Sequence, residues 1–188
     1  MRKLFFILLA CTILLCSCKS NYTGELPNDI TSKTTMSDAV EKFGESQYTY
    51  DGAGTADNNA LVYDYETQYG KCLIELFFDK KTNKLDYASY VYYGNQKEMI
   101  QLLNLISDDM EAKYGDNYYK ISNLDEKDDI YKEDTEHDFV YVSYSWNDNR
   151  FYDHLNVLYT HQYNENRTFI QELPTCETTV QVNVFLNL

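Results

Sequence analysis

Two hydrophobic rhythms alternate along the chain, one repeating about every 3.6 residues and one every second residue, and their order predicts the fold. Met36, Val40 and Phe43 fall at helical spacing behind Thr35-Met36-Ser37-Asp38, a Thr-x-x-Asp pattern of the capping-box kind. Gly44 is expected to end this short helix as its left-handed cap. Strand rhythm follows. Leu61, Tyr63 and Tyr65 alternate with Val62, Asp64 and Glu66, and Cys72, Ile74, Leu76 and Phe78 alternate with Leu73, Glu75 and Phe77. The polar run Asp79 to Lys84 reads as a turn, and Leu85 to Tyr93 as the returning strand of an antiparallel meander.

The same order then recurs. Asn95 with Glu98 opens a second helix, on which Met99, Leu102, Leu103, Ile106 and Met110 form a wide apolar stripe that needs a sheet to cover. Lys113-Tyr114-Gly115-Asp116 closes it as Lys42-Phe43-Gly44-Glu45 closes the first. Phe139 to Trp146, His154 to His161 and Thr179 to Leu186 return to strand rhythm. The predicted class is α+β, in tandem units of a helix and a three-stranded antiparallel meander. The first unit covers residues 31–95, and the second covers 96–188 with an acidic insertion at 125–138.

Ahead of these units, Arg2 and Lys3 precede an apolar run from Leu4 to Leu15. A span of roughly 30 Å of hydrocarbon needs about 20 apolar residues, so this run is too short and reads as a signal peptide over 1–17. Leu15-Cys16-Ser17-Cys18 resembles the bacterial lipobox, which implies cleavage before Cys18, a diacylglycerol on its sulfur and an acyl chain on its new amino group. Several chains at about 0.8 kcal/mol per buried methylene hold a protein durably where one would not. Residues 18–30 then read as a polar tether.

Charge narrows the partners. The formal net charge is −14, and loss of Arg2 and Lys3 leaves 14 basic against 30 acidic side chains, or −16. Such a field repels phosphate backbones and attracts basic proteins, so nucleic acid is not an expected partner. Nineteen tyrosines and only two prolines suit strands rather than disorder. Of the five cysteines, Cys72 and Cys176 remain in the aqueous body. They are a candidate disulfide in an oxidising compartment, or Cys72, sharing a strand face with Ile74, Leu76 and Phe78, is a buried free thiol.

Met36-Ser37-Asp38-Ala39-Val40 with Phe43-Gly44, then Phe78-Asp79-Lys80 and Lys84-Leu85 around the hairpin, carry a resemblance across residues 31 to 93, fainter over 97 to 188. This pattern resembles the small outer-membrane lipoproteins that accompany the β-barrel assembly machinery, and also the secreted β-lactamase inhibitor proteins. The resemblance implies a short helix before a three-stranded sheet, which the inhibitors repeat in tandem to make a concave binding face. Thr35 and Glu45 stand where the assembly family has Gly and Pro, so the fold is carried over and the barrel-assembly partner is not.

Motifs for bond-making chemistry are not evident. His154 and His161 are seven apart on a predicted strand, which sends them to opposite faces, and no CxxC or HExxH spacing occurs. Asp125 to Asp138 carries eight carboxylates, but an EF-hand needs Gly where Ile130 stands, so a solvated loop is expected rather than a calcium site. There is no G-x-S-x-G elbow or Gly-rich phosphate loop. No cofactor or metal is expected.

The expectation is a cell-envelope protein anchored through Cys18, at the outer membrane, that works as a non-enzymatic protein-binding module. The alternative is an inhibitor or immunity protein against a basic secreted enzyme or toxin, and a third reading is an envelope hydrolase. If Ile74, Leu76 and Phe78 pack on the helices, Leu73 and Phe77 face outward, and Tyr63 and Tyr65 are expected to join them in a protein-binding face.

Overall fold

The computed structural model describes residues 26–27, 30–48, 58–122, 124, 139–147, 154–162 and 178–186. The signal segment, Cys18, the acidic stretch 125–138 and Cys176 lie outside the described residues. The class is α+β. Two helices, α1 (Met36–Phe43) and α2 (Gln96–Tyr114), accompany seven strands: β1 (Asn58–Thr67), β2 (Gly70–Asp79), β3 (Leu85–Gly94), β4 (Tyr119–Ser122), β5 (Phe139–Asn147), β6 (His154–Gln162) and β7 (Thr178–Phe185). They pair into one antiparallel sheet ordered β1-β2-β3-β7-β6-β5-β4. The first meander is laid down as β1-β2-β3. α2 then crosses one face, and the chain re-enters at the far edge as β4 and works back until β7 meets β3.

Both helices form where their caps dictate. The Thr35 side chain accepts from the Asp38 N–H while Asp38 Oδ2 accepts from the Thr35 N–H at 2.8 Å, satisfying donors that the first turn leaves open. Asn95 Oδ1 accepts from the Glu98 N–H at 3.0 Å at the start of α2. Gly44 and Gly115 end the helices with φ 87°, ψ −173° and φ 91°, ψ 174°. This is the extended positive-φ region that only glycine enters without strain, not the left-handed helical conformation expected. Each glycine N–H donates to the carbonyl four residues back at 2.8 Å, and each preceding lysine stands over its aromatic neighbour. Both glycine carbonyls accept from the sheet, Gly44 from Tyr63 Oη and Gly115 from Trp146 Nε1, each at 2.9 Å.

The core fills the space between α2 and one face of the sheet. Met99, Ile100, Leu103, Ile106 and Met110 of α2 are buried there, and Leu102 is half-buried at the margin. They meet Ile74, Leu76 and Phe78 of β2, Ala88, Tyr90 and Tyr92 of β3, Val180, Val182 and Val184 of β7, and Leu155, Val157 and Tyr159 of β6. Fully burying a side chain of this size contributes about 1.5–3 kcal/mol, which is why one 19-residue helix can organise four strands around it.

Two expectations are corrected. The tether does not reach Ile30: Pro27 and Ile30 are buried and Leu26 is half-buried against the core, so the folded body begins by Leu26. The apolar side chains of this otherwise polar stretch gain more by burial than the chain loses in entropy. The second meander also has four strands rather than three, because Tyr119–Ser122 pairs with β5. Four residues inside a polar run carry too little alternation to announce a strand.

Candidate functional site

The side of the sheet away from α2 is assembled by strand parity. Register places Val62 opposite Glu75, Glu75 opposite Ser89, Ser89 opposite Asn183, Asn183 opposite Asn156 and Asn156 opposite Ser145. A polar row therefore crosses the sheet from β2 to β5. Asn183 Nδ2 donates to Asn156 Oδ1 at 3.2 Å, and Asn156 Nδ2 donates to Ser143 Oγ at 2.6 Å and Ser145 Oγ at 3.0 Å. Directly opposite pairs stand about 4.5–5.5 Å apart, so such a row is continuous.

An aromatic row runs beside it. Phe77 stacks on Tyr87 at 4.1 Å between ring centres, and Tyr87 on Phe185 at 5.2 Å. Phe77 is 3 % exposed while Tyr87 and Phe185 are half-buried. On the other flank Val62, Leu73 and Val91 form a small second apolar cluster, closed over by Tyr48, whose hydroxyl donates to Asp64 Oδ1 at 2.9 Å.

Two polar groups in this face are uncompensated. Glu75 is 7 % exposed, and burial alone pushes its carboxyl up to about 7. Its register partner Ser89 has a buried hydroxyl oxygen without a hydrogen-bond partner among the described residues. A carboxylate here would be desolvated with no charge to repay it, so the neutral acid is favoured into the neutral pH range.

The four residues expected to share an outward face are not brought together. Leu73 and Phe77 do lie opposite the helices, but they are buried, Leu73 at 0 % exposure. Tyr63 and Tyr65 lie on the helix side. Tyr63, 3 % exposed, packs its ring 5.4 Å from Phe43, and Tyr65 is half-buried with its ring 5.9 Å from Tyr90. The two-residue turn Gln68-Tyr69 sets Thr67 against Gly70, hence Tyr65 against Cys72 and Tyr63 against Ile74, and so fixes their side. Cys72 is a free thiol among the described residues, and Cys176, its candidate disulfide partner, lies outside them. The Cys72 thiol is buried under the helices, and burial pushes it up to about 12 against a smaller lowering by the Tyr92 hydroxyl.

Sequence reasoning also missed Tyr87, Phe185, Asn183 and Asn156, whose signal was plain strand alternation without an indication of which strands meet. His161 is buried, with Nδ1 2.6 Å from Thr178 Oγ1. Among the described residues no three His, Cys, Asp or Glu side chains converge as metal ligands, and no helix is long and apolar enough to cross a membrane.

The exposed large apolar side chains complete the picture. Among the described residues they are Tyr93, Tyr119 and Ile121 in strands and Leu105 on α2. Parity places all three strand residues on the side away from α2, because Tyr92 is in the core and Tyr119 and Ile121 pair with Ser145 and Ser143. Comparison with known proteins gives no relative to set beside this arrangement: no family model, curated protein or solved structure matches the chain.

Proposed function

We propose that this is a lipid-anchored envelope protein that binds another protein through the side of its sheet opposite α2, without catalysing a reaction. The observation that carries the reading is that, among the described residues, the exposed large apolar side chains of the strands all lie on one side of the sheet. Tyr93, Tyr119 and Ile121 all stand on that side, which also carries the half-buried Tyr87 and Phe185 and a row of amide and hydroxyl groups. Aromatic side chains next to satisfied polar groups are the usual make-up of protein contact surfaces.

The tandem architecture belongs to the same reading. The two helices share their closing sequence, their glycine torsions, their lysine-over-ring placement and a hydrogen bond from the first long strand of each meander onto the glycine carbonyl. We take the chain as two such units joined through the antiparallel β3–β7 pair, the second lengthened by β4 and the acidic insertion.

The net charge of −14 favours a second version of this function, inhibition of a basic secreted enzyme or toxin, because opposite charge speeds encounter and sharpens salt dependence. Crosslinked membranes carrying the tagged chain test both. The expected result is one recurrent partner, lost with Tyr87→Ser plus Phe185→Ser and retained at the membrane only when Cys18 is present. Equal partner recovery with the double variant would defeat the sheet reading, and Cys18→Ala that still sediments with membranes, without palmitate, would defeat the anchor.

A further inference from the structure

The two edges of the sheet are treated differently. At β1 the outward-facing main-chain groups at mid-strand are already taken. The Gln47 N–H donates to the Val62 carbonyl at 2.9 Å, the Val62 N–H donates to Ser46 Oγ at 2.9 Å, and the Asp64 N–H donates to Gln47 Oε1 at 2.6 Å. Ser46 and Gln47 thus cover the middle of that edge, where another strand would have to displace them. At β4 the only strand partner is β5, and β4 is last in the sheet order. Alternate residues of any edge strand present their N–H and C=O outward, so among the described residues nothing occupies those of β4.

Its side chains do not guard the edge either. Tyr119 is 66 % and Ile121 55 % exposed, both on the side proposed above for binding. Lys120, the residue type that commonly repels an incoming strand, stands over the Tyr144 ring on the helix side, its nitrogen 5.6 Å from the ring centre. Charge identifies the occupant. The whole chain carries −14, which opposes self-pairing of two copies. A cationic strand is attracted to the place a second copy is repelled from.

We propose that the open edge of β4 receives an extended basic segment of the partner protein, which adds an eighth strand to the sheet with its apolar residues against Tyr119 and Ile121 and its cationic residues drawn by the acidic chain. The main chain supplies the hydrogen bonds and alternate side chains supply the selectivity. This inference rests on the protein-binding reading and names the place where binding is made.

The test uses the full chain in detergent with three synthetic probes: a short peptide alternating lysine and valine, its glutamate–valine counterpart, and the lysine–valine peptide N-methylated at alternate residues. Hydrogen exchange read by mass spectrometry is expected to slow at residues 119–122 with the first peptide only. Affinity should fall with added salt and drop at least about tenfold on N-methylation, which removes the donors of one ladder. Tyr119→Thr plus Ile121→Thr keeps strand-forming residues and is expected to weaken capture by a similar factor. Protection elsewhere, equal protection by the acidic peptide, or protection of β4 by self-association without peptide would overturn the proposal. In crosslinked membranes, partner capture that survives this double variant but is lost with Tyr87→Ser plus Phe185→Ser would refute the edge while leaving the protein-binding reading intact. Capture lost with neither variant would overturn both.

Discussion

Replacing Glu75 by glutamine isolates the energetic consequence of a carboxyl buried without a partner. The ordinary carboxyl value is 4.5 and burial pushes this one up to about 7. At about 1.4 kcal/mol per pH unit of difference, ionising Glu75 in the native state costs roughly 3 kcal/mol more than in the unfolded chain. The native state then binds the extra proton between these two values. Stability is unaffected by Glu75 below about 4.5, falls as pH rises through the interval, and carries the full penalty above about 7. Asp38 and Asp79 act oppositely, since hydrogen bonds from Thr35 and Thr82 hold them below the usual carboxylate range. The variant leaves both untouched, so they cancel in the comparison. Urea unfolding of parent and Glu75→Gln at pH 4.5 and pH 8 is therefore the assay. The variant should gain about 3 kcal/mol more, relative to the parent, at pH 8 than at pH 4.5, whatever the amide itself costs. An equal difference at both pH values would show that Glu75 ionises normally, and a variant less stable only at pH 8 would show that a cation holds it charged.

Two further outcomes follow from the helix ends and the thiol. Tyr63→Phe removes the donor to Gly44 and should cost about 1 kcal/mol, and Trp146→Phe, which also loses ring volume, about 2 kcal/mol. The two sites lie five strand spacings apart, roughly 24 Å, so the double variant should equal the sum within about 0.5 kcal/mol by urea unfolding; a larger excess would mean the two helix ends are coupled. Cys72 should resist maleimide in the native protein and react fully in urea, monitored by intact mass. Native labelling at the rate of an exposed thiol, or a Cys72–Cys176 crosslinked peptide after non-reducing digestion, would contradict the burial described here.

Local structure was legible because it is written in local chemistry. Thr35 with Asp38, Asn95 with Glu98, and the two Lys-aromatic-Gly-acid closures each satisfy main-chain groups within a few residues, so spacing alone announces them. Alternation gave the six long strands to within a few residues. It could not give register, because a strand has two faces and only the turn decides which meets which. Gln68-Tyr69 lacks the Asn-Gly type of signal that marks a two-residue hairpin, and Tyr63 and Tyr65 were assigned to the wrong side for that reason. The β3–β7 pairing joins residues about 90 positions apart, with nothing in either strand to specify the other. The burial of Leu73, Phe77 and Glu75 is a tertiary fact of the same kind, since alternation separates two faces without saying how far each is covered.

The open edge has a structural origin on the tandem reading. After Gly44 the chain turns back along β1, and Ser46 and Gln47 make four hydrogen bonds to Val62 and Asp64, three of them through side chains. After Gly115 the chain takes the corresponding path along β5, but there it runs on as β4 with main-chain pairing from Tyr119 to Ser122. One path, two lengths. In the first unit the returning segment is a side-chain strap that ends the sheet. In the second it is a strand, which leaves half of its own main-chain groups pointing outward. On that reading the longer segment sets the edge one position further out and leaves it open. The longer segment costs four ordered residues and leaves Tyr119 and Ile121 in water, a cost that the proposed strand addition would offset.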